Sequence, residues 1–300
     1  MKVLFNLVKR HTKLFFKDRA TFLSSLITPM ILILLYITFL ANVYRDSFHA
    51  AIPEGLNVPE SVIEGFVGGW LFSSLLAVSC VTISFCSNLL MIQDKAECIL
   101  PDIMIAPVKK STLSISYFIS SAFVTLIICY SAVGVGFIYL ANVGWFLSFT
   151  DVLLILLDVF LLTLFGTALS SIVNYFLTTQ GQMSVVGTLV SCCYGFICGA
   201  YMPMSQFGNG LQKALMFLPG TYGTSLIHSH YMNGVLTELE SKYFPSEVVS
   251  DISKSFDTTL YFFGNKVENW VSYLILGGFI AILIGIYVLM NVLSKRKVRR

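Results

Sequence analysis

The chain predicts an all-α, polytopic membrane protein with six transmembrane helices, an N-terminal interfacial helix and short outer helices between spans five and six. Six apolar runs, 21–43, 66–90, 113–140, 152–176, 183–202 and 270–293, are each long enough to cross a hydrocarbon core, which takes about 20 helical residues. They lack the period-two alternation of barrel strands. Lipid offers no partner to an unpaired backbone amide, so helices are the reading left. Composition agrees: 56% of the 300 residues are hydrophobic and 12% are charged, with a mean hydropathy of +0.80, whereas a soluble domain carries about 25% charge. Water is not the main solvent of this chain, and residues 1–300 form a single transmembrane domain.

Orientation follows from Lys and Arg, which stay cytoplasmic during insertion. Fourteen of the nineteen fall on one predicted side. They are Lys2, Lys9, Arg10, Lys13, Lys17 and Arg19 before the first span, Lys95, Lys109 and Lys110 after the second, and Lys295, Arg296, Lys297, Arg299 and Arg300 in the tail. Only Arg45, Lys213, Lys242, Lys254 and Lys266 fall opposite, so both termini are expected in the cytoplasm. Trp70, Trp145 and Trp270 lie near predicted outer ends, where an indole suits the headgroup level. The first span is too long for a signal-peptide core and has no clear cleavage site after it, so it is expected to be retained. All seven cysteines lie inside spans or the cytoplasmic loop, and they read as small buried hydrophobes. Cys192-Cys193 lacks a redox or zinc spacing.

Residues 1–20 place Val3, Leu4, Leu7, Val8, Leu14 and Phe15 on one helical face, with Lys9, Arg10, Lys13 and Lys17 on the other. This amphipathic helix is expected to lie flat on the inner leaflet. The cytoplasmic loop 91–112 gathers charges, apolar residues and two prolines into one short helical-looking segment. The outer segment 203–269 divides in two. Its apolar part predicts a short helix over Leu211–Leu218, stopped by Pro219-Gly220, and another over Thr221–Met232 before Asn233-Gly234 turns the chain. Such pieces are too short to span, and they suit an outer gate or re-entrant segment formed by Pro203, Leu211, Leu215, Pro219 and Tyr222. The charged part, 235–268, is solvated, and Val248, Ile252 and Phe256 predict a small amphipathic helix within it.

The chain has no Gly-x-x-x-x-Gly-Lys-Ser/Thr phosphate loop, so no nucleotide site of its own is expected. His228 and His230 diverge on a helix and are expected to form a surface pair rather than a metal site. Without a Gly-x-Ser-x-Gly elbow or a His-Glu-x-x-His helix, no catalytic or metal residue is assigned. Asp158 lies within ten apolar residues, where an ionised carboxylate costs several kcal/mol unless partnered. It is expected to face protein, as an interhelical hydrogen-bonding group or, failing that, as part of a proton relay. Gly187, Ser191, Gly195 and Gly199 form a smooth strip on the fifth span that suits close helix packing.

Glu97, Leu100, Ile103 and Pro107 reproduce the spacing of the loop Glu-Gly-Thr-Leu-Glu-x-Leu-x-x-x-Pro found in the permeases of the ABC type-2 exporter family, which this chain resembles. The loop also sits, as there, between the second and third of six spans. Gly199–Pro203, Leu211-Gln212 and Leu218–Tyr222 resemble that family's segment before the sixth span. Cys98-Ile99 stands where Gly-Thr is usual, and Pro101 where an acid is common. The resemblance implies a permease subunit in the bacterial plasma membrane that pairs with a second permease subunit, as a homodimer or heterodimer. It also implies cytosolic ATP-binding cassette ATPase subunits, with ATP and Mg held by those partners, and no nucleic-acid partner. Asp94, Lys95, Glu97, Leu100, Asp102, Ile103, Met104 and Pro107 are then the ATPase-coupling residues, with Leu100, Ile103 and Met104 as the apolar face and the charges as its rim. The implied cargo is amphipathic: a drug, peptide antibiotic, lipid or lipid-linked glycan, with drug or antibiotic resistance as one outcome. An ion-coupled secondary transporter or channel using Asp158 is the rival, and the lack of paired intramembrane charges weighs against it.

Overall fold

The computed structural model describes residues 2–51, 58–106, 108–262 and 265–297. In chain order, α1 is Lys2–Lys17, α2 is Arg19–Leu35, a π-helical turn covers Tyr36–Leu40 and α3 is Ala41–Ala51. Then follow α4 (Glu60–Asn88), α5 (Leu90–Ala96), α6 (Ile99–Ile105), α7 (Lys110–Val143), α8 (Phe149–Phe176) and α9 (Gln180–Ile197). The remainder is a 3₁₀ turn (Met204–Gln206), α10 (Asn209–Leu215), α11 (Pro219–Lys242), α12 (Ser246–Ser255), a two-residue hairpin of β1 (Tyr261–Phe262) with β2 (Asn265–Lys266), and α13 (Asn269–Lys297). Among the described residues, five helices are long and apolar enough to cross a membrane: Arg19–Asp46, Glu60–Ala96, Lys110–Val143, Phe149–Phe176 and Asn269–Asn291. The expected fifth span lies on α9, which falls outside that set. Gln180, Gln182, Ser184, Thr188 and Ser191 dilute its apolar face, and its 18 residues reach about 27 Å. It stops at Ile197, short of Met202, because Gly199 (φ +79°) caps it. Gly199 N donates to Phe196 O at 3.3 Å and Ala200 N to Gly195 O at 2.9 Å, the paired bonds of a Schellman motif.

The centre is α4, buried along almost its whole length with α2, α7, α8 and α11 around it. A helix that is apolar on every side belongs in such a place. Its polar residues face neighbours rather than lipid. Ser87 Oγ lies 2.5 Å from Ser121 Oγ and 3.2 Å from Thr125 Oγ1 on α7. Ser84 Oγ lies 3.2 Å from Thr167 Oγ1, and Asn88 Nδ2 donates to Ser170 Oγ at 3.1 Å and Ser171 Oγ at 2.8 Å, all on α8. At one end of the bundle Ser114 Oγ donates to Asn291 Oδ1 at 2.6 Å and Tyr287 Oη to Ser114 O at 3.1 Å, tying late α13 to early α7. Because α1 also packs on α7, both terminal helices share that end with α5 and α6. At the other end Arg45 pairs with Glu64, joining α3 to α4.

The sequence reading fails in three places here. The expected turn at Asn233-Gly234 is absent: α11 is one 24-residue helix, mostly buried against α4, α8 and α13. Asn233 is there to donate from Nδ2 to Asp151 Oδ1 at 2.9 Å, and Gly234 is there because Phe146 O, in the α7–α8 connection, occupies the space a Cβ would need. Trp70 is not a headgroup anchor. It is buried, donating from Nε1 to Phe256 O at 3.2 Å, whereas Trp145 and Trp270 are exposed. Cys98, Cys192 and Cys193 are exposed, so the buried-hydrophobe reading holds only for Cys80, Cys129 and Cys198, with Cys86 intermediate. The charged outer part does form the expected amphipathic helix, α12. It packs through Val249, Ile252 and Phe256 onto the chain's own core.

Gly234→Ala is expected to destabilise the protein by about 1–3 kcal/mol, the usual range for overpacking. Thermal unfolding in detergent checks this, and Ala at Gly208, which has nothing within 4 Å of its Cβ position, is the comparison.

Candidate functional site

Between α4 and α7 the chain folds back through two helices of about two turns each, α5 and α6. The turn between them is made by Cys98 in the left-handed conformation, φ 58°. Only glycine takes that conformation freely. This is the position where the resembled loop has Gly, so the bend is retained although the residue is not. Leu100 and Ile103 turn inward, packing with Leu7, Leu90 and Val108 on Met91, Leu113 and Tyr117. The side chains turned away from the chain are Glu97, Asp102, Met104 and Ile105, and Ile105 is 85% exposed. The apolar face expected from Leu100, Ile103 and Met104 is therefore shifted one step, to Met104 and Ile105. Pro107 lies outside the described residues.

The charges at the root of the segment point inward. Asp94 is 2% exposed, accepts from Arg10 Nη1 at 2.9 Å and Nη2 at 3.3 Å, and accepts from the Tyr117 hydroxyl. The Asp94 hydrogen bond raises the affinity of the half-buried Arg10 guanidinium for its proton. His11, next along α1, is buried and stacks flat on Tyr117 with ring centroids 4.1 Å apart, while Thr12 Oγ1 lies 3.0 Å from Ser120 Oγ. α1 is thus bolted to the bundle by three successive residues, with Lys9, Lys13 and Lys17 left exposed. Lys95 turns the other way. Its Nζ donates to the carbonyls of Asn174 (3.2 Å), Tyr175 (3.1 Å) and Leu177 (3.3 Å) at the end of α8. Asn174 O also accepts from Leu177 N at 3.3 Å, the last carbonyls of a helix lack their usual i+4 donors, and a cation there also meets the negative end of the helix dipole.

A cleft of ≈ 1020 Å³ opens between α2 with its π turn and α9. Ile27, Ile31, Leu35 and Phe39 form one wall, and Gly187, Thr188, Ser191 and Phe196 the other. Cys86, Leu89 and Gln93 of the α4–α5 corner lie at its floor. Asp18 is the sole carboxylate on the lining, and Lys, Arg and His are absent from it among the described residues. Of the small-residue strip, Gly187 stays open, Gly195 is covered by the Tyr201 ring, and Gly199 is the helix cap already described.

Elsewhere Leu215 and Tyr222 gather with Met204 and Leu260 in a small buried cluster, beside the buried Pro203. Pro219 opens the first turn of α11, and Leu211 is exposed. Asp257, beside that cluster, has its carboxyl pushed up to about 7 by burial, against the donation of Met204 N to Oδ2. Asp158 joins three helices, with Oδ2 2.6 Å from His230 Nδ1 on α11 and Oδ1 accepting from Tyr273 Oη of α13 at 2.5 Å. His228 and His230 are both buried, correcting the surface-pair reading. They diverge as expected, but His228 Nε2 lies 3.2 Å from Ser74 Oγ on α4 and His230 meets α8. One signal along the chain points to these missed partners: charged or imidazole groups beside long apolar runs, each of which needs a polar mate.

A family model described as ABC-2 type transporter matches residues 2–231. The chain belongs to the ABC-2 type transporter family. It is a membrane-embedded permease subunit of an ABC transporter, and that family works with an ATPase partner. No curated protein matches the chain. The match covers α1, α5–α6 and the walls of the cleft, which brings every element of the site within one permease domain.

Burial holds the His11 imidazole at about 4, and the neighbouring Arg10 charge adds to that. A base whose folded value is depressed contributes stability above its unfolded value, near 6.5, and loses it as pH falls toward the folded one. Docking of α1 is therefore expected to weaken from about pH 6.5 to pH 4, by up to about 3 kcal/mol. Hydrogen exchange of α1 amides checks this. His11→Phe is expected to keep the stacking and flatten the profile.

Proposed function

We propose that this chain is the membrane half of an exporter whose cassette ATPase seats on α6. The single observation that carries the reading is the outward face of α6. An isoleucine 85% exposed beside Met104, with Glu97 and Asp102 flanking, is an apolar contact with a charged rim. It sits at the end of the bundle that bears both terminal helices. The Lys and Arg distribution puts that end in the cytoplasm, where ATP and Mg are available to a partner. Two such subunits, alike or different, act together in a bacterial plasma membrane. ATP and Mg belong to the ATPase subunit, and this chain contributes motion rather than chemistry.

The cleft between α2 and α9 is the proposed path for an amphipathic cargo, such as a drug, peptide antibiotic, lipid or lipid-linked glycan. Its volume matches one molecule of that size, and pockets of about 300–1,000 Å³ are the usual scale. The second subunit's wall closes the open side. Asp158 supports this reading over an ion-coupled carrier, because both its oxygens are engaged by His230 and Tyr273 deep among three helices.

Ile105→Asp and Glu97→Ala are expected to lower co-purification of the cassette ATPase or of its activity by about tenfold or more, the loss of a central interface contact. Unchanged assembly and export in both variants would remove α6 from the ATPase contact. Asp158→Asn is expected to leave ATP-dependent export intact, whereas Asp158→Leu, which strands the buried His230 ring and the part-buried Tyr273 hydroxyl, costs about 2–5 kcal/mol in thermal unfolding. A gradient-driven activity lost in the Asn variant, with no need for ATP, would favour the carrier.

A further inference from the structure

We infer that residues 93–95 form a three-way divider that converts displacement of α5–α6 into a change in the width of the cleft between α2 and α9. The inference rests on the proposed function, which supplies the ATPase acting on α6. Successive residues on a helix leave it about 100° apart, so three in a row address three directions. Gln93 faces the cleft floor. Asp94 holds Arg10 of α1 and the Tyr117 hydroxyl of α7. Lys95 holds the last carbonyls of α8.

Each wall of the cleft begins at one of these grips. α1 runs into α2 through Asp18, whose Oδ1 accepts from Ala20 N at 3.0 Å and Thr21 N at 3.3 Å and so caps α2. The α8 carbonyls held by Lys95 lie immediately before Thr179, whose Oγ1 accepts from Gln182 N at 3.3 Å and caps α9. A displacement of α5 therefore reaches α2 through Asp94 and α9 through Lys95, while Gln93, the residue before them, lies in the floor between the walls. Breaking either grip strands a partly or wholly buried charge, so the two walls follow α5 instead of slipping past it. Asp94 and Lys95 are positioning residues: neither is placed against cargo or nucleotide.

Native cysteines report the cleft. Cys192 lines it, and Cys193, the next residue and also exposed, does not. The full permease–ATPase complex is labelled with N-ethylmaleimide, free of nucleotide and after vanadate trapping, and the Cys192:Cys193 modification ratio is read by tandem mass spectrometry. In the native complex the ratio is expected to differ between the two states by about fivefold or more, the lower end of ordinary coupling between sites. Lys95→Met is expected to keep assembly and ATP hydrolysis but lose the shift, and Lys95→Arg, which still donates to carbonyls, to restore it. If Lys95→Met does not accumulate, Asp94→Asn, which loosens the α1 grip alone, is expected to reduce the shift in the same way. A full shift in Lys95→Met or in Asp94→Asn overturns the divider, as does a native complex that hydrolyses ATP without any shift. A chain that never recruits an ATPase overturns the proposed function instead, and that outcome is read from co-purification before labelling begins.

Discussion

Everything in this bundle is arranged around one constraint: α4 carries hydroxyls and an amide into a region where lipid offers them no partner. Ser84, Ser87 and Asn88 find Ser121 and Thr125 on α7 and Thr167, Ser170 and Ser171 on α8. Each such bond is worth only about 0.6 kcal/mol in a membrane. Their effect is therefore collective and directional. Apolar side chains pack against lipid or protein with little preference, so they bring helices together without saying which face meets which. The hydroxyl seam says it, and α7 and α8 are fixed to two faces of the same central helix.

Titratable side chains repeat this logic at the ends and at mid-depth. Arg10–Asp94 places α1, Lys95 places the end of α8, Asp158 with His230 and Tyr273 places α11 and α13, and Arg45–Glu64 places α3. Those that rest on the buried Asp94 and Asp158 contribute little net energy against a well-packed apolar alternative, but losing one partner there costs about 3–5 kcal/mol. They act as specifiers of arrangement. Among the described residues α9 has no such link along its length, and of its own residues Tyr194 and Gly195 are buried. Its ends are capped at Thr179 and at Gly199, and between them Val186 and Val190 rest on the core beside α4.

The sequence disclosed what depends on period and composition and hid what depends on close approach. Five of the six expected spans coincide with membrane-length helices, and the near-helical spacing of Val3 to Phe15 marked α1, because burial in lipid or against it leaves a pattern along the chain. Asn233-Gly234 reads locally as a turn, and nothing in its neighbours reveals that Phe146, almost ninety positions away, needs the space of a missing Cβ. Trp70 likewise has the composition of a headgroup anchor and is covered by Phe256 of a later helix. In the α5–α6 site, the segment and its residues were legible from spacing, while the direction of each was not. Asp94, Lys95, Leu100 and Ile103 point into the chain, because α1 and the end of α8 lie there to receive them.

That division within one short segment bears on how force enters. A lever transmits displacement only when its root is stiffer than its tip. Here the root is held by a bidentate ion pair and a triply bonded ammonium, whereas the tip carries Met104 and Ile105 without cover from its own chain. Between them the bend is set by a non-glycine residue in the left-handed region, a conformation that costs roughly 1–2 kcal/mol and persists because both flanking helices fix it. The angle between α5 and α6 is therefore determined from both sides rather than free to vary. In the proposed exporter, a load applied at Ile105 passes to Asp94 and Lys95 and from them toward the capped corners at Asp18 and Thr179, where the walls of the cleft begin.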